Sequence, residues 1–189
     1  MGTQALLVMD VQNGIVERFA EHVEPILVTV AEALQAARAT GVEVIFVRVA
    51  FRDGAPEASA NNKSFAALAG SPAFDESAHL TQLHASLARR PDEIVVTKRR
   101  VSAFTGSDLD VVLRAKSIDA LVLCGIATSG VVLSTLRQAA DLDYRVTVLS
   151  DACADADPEV HRVLTEKVFP RQAAVLATRE WIRQLAALD

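Results

Sequence analysis

Short, continuous apolar runs alternate along this chain with longer stretches in which apolar residues recur at helical spacing. The runs lack the polar alternation of a half-exposed sheet, which is typical of parallel strands buried on both faces. The pattern predicts strands over 5–9, 42–49, 94–97, 118–124, 145–150 and 173–176. Helices are predicted over 25–40, 107–116, 158–168 and 179–188, and one more begins after Gly125.

The alternation of strand and helix predicts an α/β fold. We expect a three-layer α/β/α, Rossmann-like architecture with a six-stranded parallel sheet and helices on both faces. The length fits a single domain over residues 1–189. Residues 50–90 are punctuated by glycine, proline and asparagine, and they predict a long connection with one or two short helices. Thr128 and Ser129 are expected to cap the helix that follows Gly125.

Charge and composition narrow the class of partner. A net charge of −5 argues against nucleic-acid binding, and no apolar run approaches the ~20 residues of a membrane-spanning helix. Two cysteines give no disulfide framework, and the N-terminus lacks the pattern of a secretion signal, so we expect a cytoplasmic protein. The expected partner is a small-molecule substrate, with no nucleic acid and no membrane.

Several chemically active features follow predicted strands: Asp10, Lys98, the 125–131 turn and Asp151. Because the carboxyl ends of parallel strands meet at one edge of a sheet, we expect these features to line a crevice there. Asp10 and Lys98 suit a shared proton network, in which the lysine's charge favours the ionised carboxyl and burial opposes it. Spacing alone favours a structural ion pair at the sheet edge over a catalytic pair, because ion-pair networks also perturb pKa values.

Three motifs occur in order: Leu-Leu-Val-Met-Asp-Val-Gln-Asn at 6–13, Thr-Lys-Arg-Arg-Val-Ser-Ala-Phe at 97–104, and Gly-Ile-Ala-Thr at 125–128. The last is followed by Ala-Ala-Asp-Leu-Asp-Tyr at 139–144 and Asp-Ala-Cys at 151–153. Together they resemble the isochorismatase-like hydrolases, also called the cysteine hydrolase superfamily, over residues 5 to about 180. The resemblance implies a hydrolase with Asp10 and Lys98 as catalytic residues.

Most members of that superfamily use a cysteine nucleophile at the start of the helix after the fourth strand, in a Gly-x-Ala-Thr-x-x-Cys-Val pattern. Here Val131 takes that place, and valine cannot be a nucleophile. Cys124 and Cys153 are expected to be buried and inert. The branch without the cysteine, the isochorismatases, hydrolyses a vinyl ether with the aspartate as general acid. On this interpretation Asp10 donates the proton, and Lys98 binds a substrate carboxylate or holds Asp10 in place.

The resemblance also suggests which residues bind the substrate. The superfamily often has a cis peptide at the position of Ile126 and Ala127, and with Gly130 this turn is expected to direct backbone N–H groups at the substrate. Arg52, after the second strand, is a candidate for binding a carboxylate, although a solvated surface arginine explains it as well. Phe104 matches an aromatic that often lines family pockets, and a core aromatic is the alternative.

No metal or cofactor is predicted. The nicotinamidase branch has an Asp-x-His motif after the second strand, whereas residues 51–55 here read Phe-Arg-Asp-Gly-Ala without a histidine. The histidines show no ligand spacing and are expected at the surface: His22, His79, His84 and His161. Family members commonly form homodimers or homotetramers, so self-association is expected.

The leading hypothesis is a metal-independent hydrolase that acts on a small polar or anionic molecule without a cysteine nucleophile, through Asp10. One alternative is a catalytically inactive homologue that serves as a small-molecule binding or regulatory protein. Another is an amidase that uses a different nucleophile. A flavodoxin-like cofactor binder fits less well, because the turns after the strands contain no glycine-rich phosphate fingerprint.

Overall fold

The computed structural model describes residues 3–67 and 71–187, with the side chains of residues 20–22 excepted. The prediction for the side chain of His22 and the predicted helix end at Leu188 lie outside this part. Within it, no helix is both long enough and apolar enough to cross a membrane.

Six parallel strands form one sheet in the order β3-β2-β1-β4-β5-β6, which confirms the predicted α/β class. The central β1 lies between β2 and β4, and its residues Ala5 to Met9 are completely buried. Because every strand is parallel, all six carboxyl ends lie at the same edge of the sheet. The strands are β1 (Thr3–Met9), β2 (Glu43–Val49), β3 (Ile94–Lys98), β4 (Ile118–Ile126), β5 (Arg145–Ala154) and β6 (Ala174–Leu176).

The helices agree with the predicted alternation, with two differences near the N-terminus. A short helix at 13–18 was not predicted, and the helix predicted from Pro25 begins at Ala20. Pro25 therefore lies inside the helix, because Val23 already belongs to its buried face together with Leu27 and Val30. The helices are α1 (Asn13–Arg18), α2 (Ala20–Thr40), α3 (Lys63–Ala66), α4 (Leu109–Ala115), α5 (Leu133–Asp141), α6 (Pro158–Val163) and α7 (Thr178–Ala186).

The long connection after β2 contains α3 and three single 3-10 turns, at Pro72–Phe74, His79–Thr81 and Ala85–Leu87. It has a small core of its own, in which the rings of Phe51 and Phe65 meet edge to face. The predicted one or two short helices thus correspond to one α-helical turn and these 3-10 turns.

Gly125 does not break the fourth strand, contrary to the prediction. The strand continues to Ile126, and Gly125 pairs with Met9 on β1 at a φ of 133°. A Cβ at this position would lie 1.9 Å from the Met9 carbonyl oxygen. The glycine is therefore required because two backbones approach closely inside the sheet.

The fifth strand also extends further than predicted, so that Asp151 lies within β5 and not at its end. The β4–β5 register shifts after Leu123, and pairing resumes where Gly125 meets Cys153. Asp151 lies in the intervening stretch, and its Oδ1 accepts hydrogen bonds from the N–H and the hydroxyl of Thr178 at 2.8 and 2.7 Å. Asp151 thus stabilises the start of α7.

Candidate active site

Asp10 follows β1 directly and begins the site. Its backbone is left-handed, with a φ of 58°, and its N–H donates to the Val47 carbonyl at 2.8 Å. Aspartate is among the few residues other than glycine that tolerate this conformation. The chain turns sharply out of the sheet here, and Asp10 remains only 5% exposed.

Lys98 is the last residue of β3 and is 2% exposed. Its Nζ lies 2.9 Å from Oδ2 of Asp10 and also donates to the Arg100 carbonyl at 3.0 Å. In the sheet order, β2 separates the two strands, so the lysine side chain reaches past the end of β2. The structure therefore brings Asp10 and Lys98 together at the sheet edge, as the parallel arrangement predicts, while their catalytic roles stay a prediction.

Burial raises the pKa of the Asp10 carboxyl, and this outweighs the opposite effect of the Lys98 charge and hydrogen bond. Oδ1 of Asp10 is buried and has no hydrogen-bond partner within residues 3–67 and 71–187. The two oxygens thus differ: Oδ2 is held by the ammonium, and Oδ1 is available to exchange a proton. A carboxyl in this setting holds its proton more tightly than an exposed one, as a general acid requires.

Gln12 is a structural part of the site, and its residue type alone assigns it no role. Its side chain is buried; Nε2 donates to the carbonyls of Val49 and Thr81 at 3.0 and 2.7 Å, and Oε1 accepts from the Val49 N–H at 2.8 Å. These bonds join the ends of β1 and β2 to the long connection beside Asp10. Its position two residues after Asp10 in the first motif could have indicated a role at the site. The neighbouring sequence does not identify its partners, which lie 37 and 69 positions away.

The turn after β4 contains a cis peptide between Ile126 and Ala127, as the resemblance implies. Thr128–Val132 forms a wide, π-type turn in which Gly130 departs from helical geometry, with φ −95° and ψ −105°. Val131 is 2% exposed within this turn. Ile126, Ala127, Gly130 and Val131 therefore lie at the carboxyl edge where β1 also ends, because Met9 pairs with Gly125.

Thr128 and Ser129 do not cap the following helix through their side chains, so that prediction is wrong. Instead, the Ser129 N–H donates to Oδ2 of Asp155 at 2.6 Å, and the buried Thr128 hydroxyl lies 2.8 Å from Nδ1 of His161. The segment that follows β5 thus holds the turn in place through two side chains.

His161 is consequently not a free surface residue, contrary to the prediction. It is half-buried, and burial lowers its pKa while the charge of Asp155 acts in the opposite direction. The surface prediction agrees with the structure for His79, which is exposed, and His84 is partly exposed. A pairing over 33 positions, such as that of Thr128 with His161, leaves no local pattern in the sequence.

Both cysteines lie in the core, as predicted. Cys124 is completely buried, its Sγ donates to the Leu7 carbonyl at 3.6 Å, and burial raises its pKa well above the ordinary value. Burial likewise raises the pKa of the Cys153 thiol to about 12. Neither thiol ionises readily near neutral pH, and neither has the exposed, electropositive surroundings of a nucleophile.

Two predicted substrate contacts lie in other surroundings. The Phe104 ring packs against Tyr144 at a centroid distance of 5.9 Å and is 7% exposed, which favours the core alternative. The exposed Arg52 pairs with Glu57 and lines a cavity of about 1030 Å³ beside β3. Asp10 and Lys98 are absent from the lining of that cavity.

Metal ligands do not cluster in the described parts of the chain. Over residues 3–67 and 71–187, no group of three or more histidine, cysteine, aspartate or glutamate side chains is placed to hold an ion. The absence of zinc remains a prediction of the sequence.

Comparison with known proteins identifies the family. Residues 4–180 match the isochorismatase domain. The chain is 36% identical to the uncharacterized isochorismatase family protein YecD of Escherichia coli O157:H7, covering 97% of this chain and 96% of that protein. It is 31% identical to the ureidoacrylate amidohydrolase RutB of Stutzerimonas stutzeri, covering 98% and 79%.

A solved structure shows the same similarity. An isochorismatase family protein from Burkholderia thailandensis superposes with a TM-score of 0.84 at 30% identity, covering 97% of this chain and 96% of that one. With the parallel sheet and the Asp10–Lys98 pair at its carboxyl edge, these matches establish that the chain belongs to the isochorismatase family of hydrolases.

Proposed function

We propose that the protein hydrolyses a small polar or anionic molecule without a cysteine nucleophile, with Asp10 as general acid and base. The observation that carries the proposal is the buried Asp10 carboxyl, with Oδ2 held 2.9 Å from Nζ of Lys98 and Oδ1 without a partner in the described residues. A purely structural ion pair requires no such difference between the two oxygens.

The electrostatics suit a carboxyl that gives up and regains one proton. Burial favours the protonated form of Asp10 before reaction. When Oδ1 donates its proton to the substrate, the new carboxylate lies against the Lys98 ammonium, which stabilises the charge. The carboxylate takes a proton from the attacking water as the water oxygen bonds to the substrate, which returns Asp10 to its initial state. The adduct then breaks its bond to the leaving oxygen or nitrogen, which receives the proton of the new hydroxyl, so water is the only co-reactant.

Lys98 is suited to hold Asp10 in this cycle. Its ammonium is nearly buried and is shared between the Asp10 carboxylate and the Arg100 carbonyl. Two oxygens fix the direction of Nζ, so the lysine positions Oδ2 and leaves Oδ1 to face the reaction. Replacing it by a neutral side chain would leave the buried carboxylate without compensation.

The mechanism has no covalent intermediate, because Val131 stands at the position the resemblance assigns to the nucleophile. Thr128 does not take over this role readily: its hydroxyl lies beside His161, but the residue is completely buried. The substrates to test first are carboxylate-bearing vinyl ethers, which the isochorismatase resemblance suggests, and ureidoacrylate, which the relative RutB suggests.

The test is turnover of these substrates in ¹⁸O-labelled water by the wild type and by Asp10→Asn, with intact-protein mass spectrometry during the reaction. The proposal expects one ¹⁸O in the product, no acyl adduct on the protein, and no turnover by the variant. An adduct, or full activity of the variant, would overturn it. If the wild type binds one of these substrates but does not turn it over, the alternative of a catalytically inactive binding protein is favoured.

A further inference from the structure

A cavity of about 440 Å³ lies under the long connection, against β2 and β3. Its lining includes Arg48, His84 and Arg89, and no aspartate or glutamate of the described residues lines it. We propose that this cavity binds a small oxyanion, a phosphate or a carboxylate, through Arg48 and Arg89. The proposal is independent of hydrolysis at Asp10, because neither Asp10 nor Lys98 lines the cavity.

Arg48 is a half-buried cation that contacts neutral oxygens. Its Nε donates to the Thr97 hydroxyl at 3.0 Å, and its Nη1 donates to the Glu76 carbonyl and to Oε1 of Gln82 at 3.2 and 3.1 Å. Within the described chain, none of these bonds uses Nη2. The guanidinium is therefore fixed in place by dipoles, while one of its donor nitrogens remains for a ligand.

The two glutamates whose backbone carbonyls accept from Arg48 and Arg89 already have cationic partners for their carboxylates. Glu76 binds Arg99 through Oε1, and Glu93 binds Arg38 at 2.7 Å. Burial lowers the pKa of Arg48, the Glu76 charge opposes this, and the Arg99 charge adds to it. The Arg48 guanidinium loses part of its hydration without gaining contact with a carboxylate, which costs free energy. An anion in the cavity would offset this cost.

Arg89 adds a second guanidinium with a fixed direction. Its Nε donates to the Glu93 carbonyl at 3.2 Å, and its Nη2 donates to the carbonyls of Glu93 and Pro91 at 2.8 and 3.4 Å. None of these bonds uses Nη1, which is left to donate a charge-assisted hydrogen bond to an anion, and a side chain held beforehand loses less entropy on binding. Both cations of the lining thus have defined positions before a ligand arrives.

His84 supplies a further N–H donor. Its Nδ1 accepts the Ser86 N–H at 3.3 Å, and since an amide N–H can only donate, the proton of a neutral ring lies on Nε2. The lining therefore offers guanidinium groups and an imidazole N–H without an opposing carboxylate among the described residues. This set of donors favours an oxyanion over a neutral or cationic ligand.

The proposal is tested with the full-length protein, inorganic phosphate and succinate. Binding is measured by isothermal titration calorimetry and by thermal unfolding, with ionic strength held constant by sodium chloride so that general screening does not change. We expect one site for at least one of the two anions. Which anion binds identifies the source of the oxyanion, and no binding of either would overturn the proposal.

Variants localise the site. Arg48→Gln and Arg89→Gln are each expected to weaken binding about tenfold, because each removes a charge-assisted hydrogen bond. Arg183→Gln is the matched control, since Arg183 is exposed on α7 and does not line the cavity. Arg89 is exposed, so its variant is expected to fold even if the Arg48 variant does not. Equal anion binding by the wild type and the Arg89 variant would overturn the assignment.

Discussion

The Lys98 ammonium lies 2.9 Å from Oδ2 of Asp10, although a whole strand separates the two strands that carry them. Both side chains are almost completely buried. The residue directly after β1, Asp10, has a left-handed backbone, and its carboxyl meets the lysine at the end of β3. Replacing Lys98 is therefore expected to change the pKa of the Asp10 carboxyl, and this change can be measured.

Asp10→Asn is expected to abolish hydrolysis while the protein stays folded. The amide keeps the shape of the carboxyl but has no proton of suitable acidity to transfer. Turnover is measured with whichever of the candidate substrates the wild type hydrolyses, and circular dichroism checks the fold. Asp119→Asn is the control, because Asp119 is an exposed acid paired with Arg145. Normal turnover by the Asp10 variant would make the residue structural.

Lys98→Met is expected to raise the pKa of Asp10 further, since the lysine is the group that lowers it while burial raises it. The measurement is a ¹³C NMR titration of the labelled Asp10 carboxyl. Lys116→Met, which removes a half-exposed ion pair with Glu43, serves as the control and is expected to leave the titration unchanged. An unchanged or lower Asp10 pKa in the Lys98 variant would contradict the assigned electrostatics.

The raised pKa of Asp10 also predicts how the free energy of unfolding changes with pH. Because the pKa of Asp10 in the folded protein lies above its ordinary 3.8, the folded state binds this proton more tightly than the unfolded state does. The stabilisation is complete below pH 3.8 and is lost as pH rises through the raised value. Urea unfolding of the wild type and Asp10→Asn across this window should show the wild type losing stability relative to the variant.

Gly125→Ala is expected to destabilise the protein severely, by about 4 kcal/mol or more, because a backbone clash must be relieved inside the sheet. The added Cβ would meet the Met9 carbonyl oxygen at 1.9 Å. Gly41→Ala separates this clash from the conformational cost, since Gly41 also has a positive φ but open space around it. Its expected cost is about 1 kcal/mol. Equal unfolding free energies for the two variants would refute the close-approach explanation.

The sequence predicted the sheet and the meeting of Asp10 with Lys98 because both follow from short-range patterns and one topological rule. Apolar runs mark buried parallel strands, and parallel strands collect their carboxyl ends at one edge. The role of Gly125 was misinterpreted for a related reason. A glycine inside an apolar run looks like a break, and only the paired strand shows that it permits close approach.

The contacts that hold the Thr128–Val132 turn could not be predicted, because their partners lie far along the chain. Thr128 and Ser129 have the residue types of helix caps, and local reasoning assigns them accordingly. The actual partners, His161 and Asp155, follow a different strand. Buried strands and their ends can be predicted from neighbouring residues. These side-chain hydrogen bonds join residues 33 and 26 positions apart, so they depend on the tertiary fold.

His161→Ala is expected to destabilise the protein by about 1–3 kcal/mol, because the buried Thr128 hydroxyl loses its partner. His161→Asn should recover part of this loss, since its amide can reach the place of Nδ1.

Burial lowers the pKa of His161 below its ordinary 6.5, so its contribution to stability is present above pH 6.5 and is lost as pH falls through the lowered value. Chemical unfolding from pH 8 to pH 5 measures both effects. Equal stability of the wild type and both variants across that range would remove His161 from any role in holding the turn.

Val131→Cys probes whether the turn still suits a nucleophile. Wild type should resist alkylation at pH 8 in the native state, because burial raises the pKa of Cys153 to about 12 and raises that of Cys124 as well. A thiol introduced at 131 lies just before α5, where the helix N-terminus favours the thiolate, whereas the 2% exposure of this position slows access of the reagent. One label is therefore expected there by mass spectrometry, at a lower rate than on an exposed thiol. Denatured protein, in which all thiols react, gives the reference.

Asp155 allows a second test, of whether a nearby negative charge affects the reactivity of a thiol at position 131. Its carboxylate accepts the Ser129 N–H at 2.6 Å and therefore opposes the positive end of the turn, which disfavours a thiolate at 131. Asp155→Asn keeps an oxygen acceptor and removes the charge, so the Val131→Cys, Asp155→Asn double variant should be alkylated about twofold to fivefold faster than Val131→Cys alone. Equal rates would show that Asp155 does not tune the turn. If the introduced thiol stays inert in both backgrounds, the space around residue 131 is closed to the reagent, and the turn no longer suits a nucleophile.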